Sequence, residues 1–395
     1  MKPKVVIIGY GFATRLGLIR SLSQISDHIS VVMIESDKSK PVDCYSKYVH
    51  AYYRSGNNEE KLMEILKGEC VDNNQKVILI PTNDFSASAL DRNIGILNDS
   101  FLFPHIHFTP GAITEWMDKE RQKSAARNVG LNVACSNNVE IKNGDYVLPA
   151  QINYPCFTKT RACVTTGYKH TLHKCEDEKE LRSFLDGVSK RFHNITIMVE
   201  DYKEISTEYA VVGFSDGNEV VIPGVIEITM MAKGIYKGIA CQGKIMPVSG
   251  FEDVVEKFKK LIRSIGFEGL FDIDFYLSNG DYYFGEINMR IGGSGYAATK
   301  MGVNLPEMFV KSLLNESIDN AEKGIKASAT FVNERICLDN WNKGYISTKR
   351  FRQILKTADI SFLKDKEDVL PEKVFKRRMV VMSVKRYLKK FVKKS

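Results

Sequence analysis

Residues 272–295 read DIDFYLSNGDYYFGEINMRIGGSG. Two apolar-rich runs flank Asn279-Gly280 and predict a β-hairpin, yet they carry Asp272, Asp274, Glu286, Asn288 and Arg290. Charged groups are not buried without partners, because lost hydration is costly. Either this face is open to water, or something positive sits on it.

Register decides which groups meet. A three-residue turn, Asn279-Gly280-Asp281 with Ser278 across from Tyr282, sets Asp274 opposite Glu286 and Asp272 opposite Asn288. A two-residue Asn279-Gly280 turn instead throws Asp274 and Glu286 onto different faces. Glu286, Asn288 and Arg290 share a face in either case, since strand side chains alternate. With the longer turn all five polar groups converge. Carboxylates that close resist joint ionisation, and a hard divalent cation relieves the conflict. Mg²⁺, or Mn²⁺ in its place, takes oxygen ligands and shares them with substrate phosphates. Asp274, Glu286 and Asn288 are the candidate metal ligands, and Arg290 suits a phosphate or a developing oxyanion.

The chain has 395 residues, enough for two or three domains, with 44% hydrophobic and 26% charged residues. No run of eighteen apolar residues occurs, and the start, MKPKVVIIGYGFATRLG, lacks the long apolar stretch of a signal peptide. Eight cysteines are scattered without a CxxC pair, which fits a reducing compartment and predicts a cytoplasmic protein. The net charge of +8 is local: residues 373–395 hold ten Lys or Arg and no acid, leaving 46 bases against 48 acids elsewhere. A near-neutral body removes the main support for nucleic-acid binding.

Strands at 5–11, 29–37 and 76–84 alternate with helical stretches to about residue 26 and around 59–68, predicting a parallel sheet covered on both sides to about residue 110. From 111 the pattern changes: a helix over TEWMDKERQKSAARNVGL, the strand NYPCFTKT, an amphipathic helix at 176–192, strands at 195–202 and 208–231 with a turn at Asp216-Gly217, and a helix at 251–266. Residues 326–372 predict a strand, ATFVNERICL, and a helix near 347–358.

The run from Asp274 to Glu286-x-Asn288-x-Arg290-x-Gly-Gly resembles the metal-binding end of the ATP-grasp ligases. Other parts fall in the same order. Asp118-Lys119 resembles the family's first phosphate-binding lysine, and FTK ending at Lys159 the second. The run MVEDYK, with Glu200, Asp201, Tyr202 and Lys203, resembles the hinge that reads adenine through backbone groups, so that side-chain identity matters little. Glu208 resembles the acid that bonds the ribose. The likeness covers roughly residues 1–320 and looks closest to the D-aspartate-ligase-like branch. It implies an α/β fold: a Rossmann-like domain (1–110), an ATP-grasp module of small (111–192) and large (193–325) subdomains, a C-terminal extension (326–372) and a basic amphipathic tail (373–395). One departure stands out: the loop TRACVTTGYKH after Lys159 has a single Gly, with Thr160, Thr165, Thr166 and Arg161 as substitutes for glycine-rich backbone.

The resemblance implies an ATP- and Mg²⁺-dependent ligase that phosphorylates a carboxylate and passes the acyl group to an amine, with Lys159 and Arg290 as the catalytic groups. The alternatives are carboxyphosphate or thioester chemistry, and a nucleotide-binding regulator without turnover. Gly293-Ser294-Gly295, leading into a helix, offers backbone N–H groups to a carboxylate substrate. GYGFAT at 9–14 has Thr14 at the third glycine position of a dinucleotide fingerprint, with Glu35 where a nicotinamide ribose would sit. That broken motif predicts a unit without NAD whose edge, with Asn83 and Asp84, borders the acceptor cleft. Partners are then small-molecule carboxylates and amines, no nucleic acid, and a second copy of the chain. Val380, Val381, Val384, Tyr387, Leu388, Phe391 and Val392 recur at helical spacing among cations, which adds peripheral contact with the inner face of a membrane as an expectation.

Overall fold

A computed structural model describes residues 2–35, 39–162, 171–233, 239–318 and 323–392, with side chains to 381 in the last stretch. Strands Val49–Arg54, His28–Met33, Lys4–Gly9, Val77–Pro81 and Phe101–Leu102 lie side by side in that order, all parallel. Val5 and Ile7 point into one buried cluster with helix Phe12–Leu22, while Val6 and Ile8 point into another with helix Glu59–Glu69. Burial on both faces is why the strand reads as a continuous apolar run. Strand Val49–Arg54 escapes a hydrophobic reading because it is a half-exposed edge strand with no fully buried residue, and His50 and Tyr52 are turned to solvent.

A small sheet follows, antiparallel, in the order His173–Cys175, Cys156–Thr160, Asn194–Asp201, Ser136–Lys142 and Asp145–Tyr146. Helix Glu178–Ser189 covers one face with Leu181, Leu185 and Val188, and Asp177 caps its start. Strand Asn194–Asp201 belongs to this sheet, so the expected boundary at 192 moves past Asp201.

The large sheet runs Asp281–Asn288, Phe267–Ser278, Thr207–Asp216, Val225–Met231, Ala240–Met246, Ala329–Val332 and Ile360–Ser361. Helix Glu252–Ile265 packs on one face and helix Leu305–Leu313 on the other, with Phe309 against Phe214 at 6.4 Å. The C-terminal extension thus continues this sheet. Its expected strand over 329–338 stops at Val332, because Asn333 accepts a hydrogen bond from Ile336 N and caps helix Glu334–Asn342. The single helix expected over 114–131 is likewise two, Ala112–Trp116 and Lys119–Asn128, since the Asp118 carboxylate accepts from the N–H groups of Glu120 and Arg121 and starts a new helix.

Candidate functional site

The hairpin takes the two-residue turn, yet keeps the pairing expected only of the three-residue one. Ser278 faces Asp281 across a two-residue turn, with Asn279 and Gly280 both at positive φ (50° and 88°). Phe275 pairs with Phe284, but Asp274 pairs with Glu286 and Asp272 with Asn288. The extra residue is Gly285, a bulge. It sits so close to the facing strand that a Cβ there would lie 2.8 Å from the Asp274 carbonyl oxygen. Phe284 and Ile287, three apart, therefore share one apolar cluster, while Asp274 and Glu286 share the other face. Glu208 lies on that face too, across from Tyr276, whose ring stacks on Tyr283 at 5.6 Å.

The hairpin is the sheet edge, and helix Lys119–Asn128 closes it. The buried Gln122 amide donates to Ile287 O (2.9 Å) and accepts from Ile287 N (2.9 Å), completing a ladder that has no further strand. One turn earlier on the helix, Lys119 reaches the Glu286 carboxylate as an ion pair. One residue later, Lys123 turns into the small sheet.

There Glu200 gathers two cations. Lys123 Nζ lies 2.5 Å and Lys159 Nζ 2.8 Å from its carboxylate, and Lys123 also donates to Ala134 O at 2.7 Å. Burial works against ionising Glu200, but Lys159 and Lys123 outweigh it and hold the acid below its usual range. Burial pulls Lys123 down, and the second ammonium, Lys159, adds to that against the upward pull of the Glu200 carboxylate. The side chain at 200 therefore matters, against the expectation that only hinge backbone counts. Two hinge N–H groups are also already used: Asp201 N donates to Cys135 O (2.9 Å) and Tyr202 N to Pro155 O (3.0 Å). Asp201 turns outward to Asn153 (3.1 Å), Tyr202 is exposed beneath Lys174, and Lys203 lies over the Tyr283 ring at 5.3 Å.

Arg290 joins the large sheet to the N-terminal domain. Its Nε donates to Asp84, at the carboxyl end of strand Val77–Pro81, at 3.1 Å, and a terminal nitrogen donates to Asn288 Oδ1 at 3.0 Å. Asn288 Nδ2 donates to Asp274 at 3.4 Å. Burial raises the Asp274 carboxyl against Arg290 and Lys119, and raises Glu208, with Asp274 adding to the effect. Asp272 is pushed well above the carboxylate range by burial and by Asp274, and its Oδ1 has no hydrogen-bond partner. Among the described residues no three His, Cys, Asp or Glu groups form a metal cage. The donor set nevertheless suits a hard cation that takes its remaining ligands from phosphates: Asp274, Glu286 and the Asn288 amide oxygen on one face, beside an orphaned buried acid.

Gly293, Ser294 and Gly295 precede a helix of only six residues, Gly295–Lys300; Ser294 and Gly295 are buried, and Gly293 backs onto Thr14. Glu35 is engaged: it accepts from Gly11 N (3.1 Å) and from the buried Arg15 (2.6 Å), which also bonds Gly9 O and Asp43. Arg161 is held by Asp118 at 2.6 Å. Thr165 and Thr166 lie outside the described residues. Sequence reasoning missed Lys123, whose signal was its position one helical turn beyond Lys119, and Gln122, which carries no signal.

The family described as "ATP-grasp in the biosynthetic pathway with Ter operon" matches residues 232–334, which include the hairpin. The carbamoyl phosphate synthase large chain of Gemmatimonas aurantiaca is 23% identical over 214 residues, 53% of this chain and 19% of that one. The C-terminal section of the Aquifex aeolicus large chain is 24% identical over 228 residues, 54% of this chain and 42% of that one. The matched stretch thus spans less than half of either relative. Among solved structures, N5-carboxyaminoimidazole synthetase from Staphylococcus aureus complexed with ADP aligns with a TM-score of 0.63 at 18% identity, over 87% of both chains. An L-amino acid ligase from Bacillus licheniformis aligns with a TM-score of 0.60 at 14% identity, over 83% of this chain and 79% of that one. The fold is that of the ATP-grasp superfamily, and the family match and structural likenesses support that superfamily for this chain. None of these four is named a D-aspartate ligase, so the expected branch is not what the likenesses single out.

Proposed function

We propose that the chain is an ATP-dependent ligase that activates a carboxylate as an acyl phosphate and couples it to an amine. The observation carrying this reading is the face on which Asp274, Glu286, Asn288 and Arg290 meet Lys119 of the facing helix. Mg²⁺, held by Asp274, Glu286 and Asn288, would supply charge neutralisation on the transferring phosphoryl group. Lys119 and Lys159 bind the phosphates, and each first leaves its carboxylate, Glu286 or Glu200. Glu208 takes the ribose, and the hinge around Lys203 borders the base. Arg290 stabilises the oxyanion formed when the amine attacks. Asp84, paired with Arg290 at the mouth of the N-terminal domain, orients an acceptor that carries an amine.

A second reading, carboxyphosphate or carbamoyl phosphate formation, is favoured by the name of the matched relatives, carbamoyl phosphate synthase. Phosphate release with Mg·ATP separates the two. The ligase reading expects release that needs an acid and an amine together, with D-amino acids, D-aspartate included, in the panel. Release that needs only bicarbonate supports the second. Asp274→Asn at an undiminished rate of ADP formation would overturn both.

A further inference from the structure

The last helix, Leu370–Val392, packs its first two turns on the body through one apolar side. Phe375 is buried with its ring 5.9 Å from Phe12, and Met379 packs on the same cluster. Arg378 donates to Lys40 O at 2.5 Å and lies over the Tyr45 ring. Just beyond, Val380 is 64% and Val381 48% exposed, so the helix has turned an apolar side to solvent.

In sequence that exposed side continues. On a helix advancing about 100° per residue, positions 380, 384, 387, 388 and 391 hold Val, Val, Tyr, Leu and Phe within one stripe. Position 384 lies half a turn round from 375, so in sequence this stripe falls on the side of the helix opposite Phe375. Lys385, Arg386, Lys389 and Lys390 fill the other side. Residues 373–395 carry ten cations and no acid, on a body of 46 bases and 48 acids. No helix among the described residues is long and apolar enough to cross a membrane.

We propose that this helix docks on an anionic lipid surface, with the Val380–Phe391 stripe among the acyl chains and the cations among the headgroups. Nucleic acid fits less well, because a phosphate backbone rewards the cations and leaves the apolar stripe wet. Docking also orients the protein: the helix is rooted beside Phe12, next to the Gly9–Gly11 turn at the carboxyl edge of the first sheet. The inference does not depend on the ligase reading, since its test measures binding and not turnover.

The test is co-sedimentation of the full chain with vesicles of phosphatidylcholine alone or with a quarter phosphatidylglycerol. Anionic lipid is expected to raise partition by at least about tenfold in low salt, and added NaCl to weaken it. A chain ending at Val381, which keeps Phe375 and Met379, should keep its melting temperature and lose the lipid preference. Should that chain fail to fold, the full-length double variant Leu388→Asp/Phe391→Asp serves, with the same loss expected. Equal sedimentation with both vesicles, undiminished binding by the folded variant, or binding to a single-stranded oligonucleotide with none to anionic vesicles would each overturn the proposal.

Discussion

Glu200 holds two lysines that come from different elements, and so couples helix Lys119–Asn128 to strand Cys156–Thr160. Taking its charge away leaves Lys123 buried beside Lys159 with no counter-ion, a change that costs about 3–5 kcal/mol when one partner of a buried pair is lost. Glu200→Gln is expected to lose that much in urea unfolding, and Glu200→Gln/Lys123→Met to recover most of it. Equal loss in both variants would show that the ion pair is not the cause. A second acid matters for pH. Burial raises the Glu334 carboxyl to about 7, with Ser361 pulling the other way. Its folded pKa lies above its unfolded one, so the folded state binds the proton more tightly. The contribution is therefore fully present below the unfolded pKa and lost as pH rises to about 7. That window is worth roughly 3 kcal/mol. Melting followed from pH 5 to 8 should fall more steeply for the parent chain than for Glu334→Gln.

At the scale of elements, the edge hairpin depends on two devices, one in its own sequence and one outside it. Gly285 supplies the bulge that brings Glu286 back to the face of Asp274. With a Cβ only 2.8 Å from a carbonyl oxygen, Gly285→Val should shift the strands apart, lowering stability by about 1–3 kcal/mol and abolishing nucleotide-dependent turnover. Gln122 supplies both edge bonds to Ile287. Gln122→Ala orphans a buried N–H and a buried C=O, at about 1–3 kcal/mol for each group. Since it also loosens the helix that carries Lys119, the Michaelis constant for ATP should rise with it. A Gln122→Ala chain with unchanged ATP kinetics would separate the edge from the site.

At the scale of the whole molecule, the candidate cleft is assembled from three sheets. Lys159 and Glu200 come from the small one, Asp274, Glu286 and Asn288 from the large one, and Asp84 from the helix start just past a strand of the N-terminal one. A ligand that binds all of them favours the folded state by mass action, about 2.7 kcal/mol at a hundred times its dissociation constant. Saturating Mg·ATP should therefore raise the melting temperature by several degrees, and ATP with a chelator by less. No shift at saturation would remove the cleft from consideration as a nucleotide site.

The alternation of apolar strands and amphipathic helices, the parallel first sheet and the clustering of Asp274, Glu286, Asn288 and Arg290 were all legible in the chain itself. Each follows from local period and composition. The edge strand Val49–Arg54 was not, because a half-exposed strand has too little apolar signal to stand out. What a two-residue turn would do was misread, because a bulge leaves the residue order unchanged and shifts only the pairing, so that turn still brought Asp274 opposite Glu286. Lys123 and Glu200 were decided only by tertiary structure. An ion pair between residues 77 positions apart is set by how a helix from one unit lies across a sheet of another, and no local spacing encodes that distance.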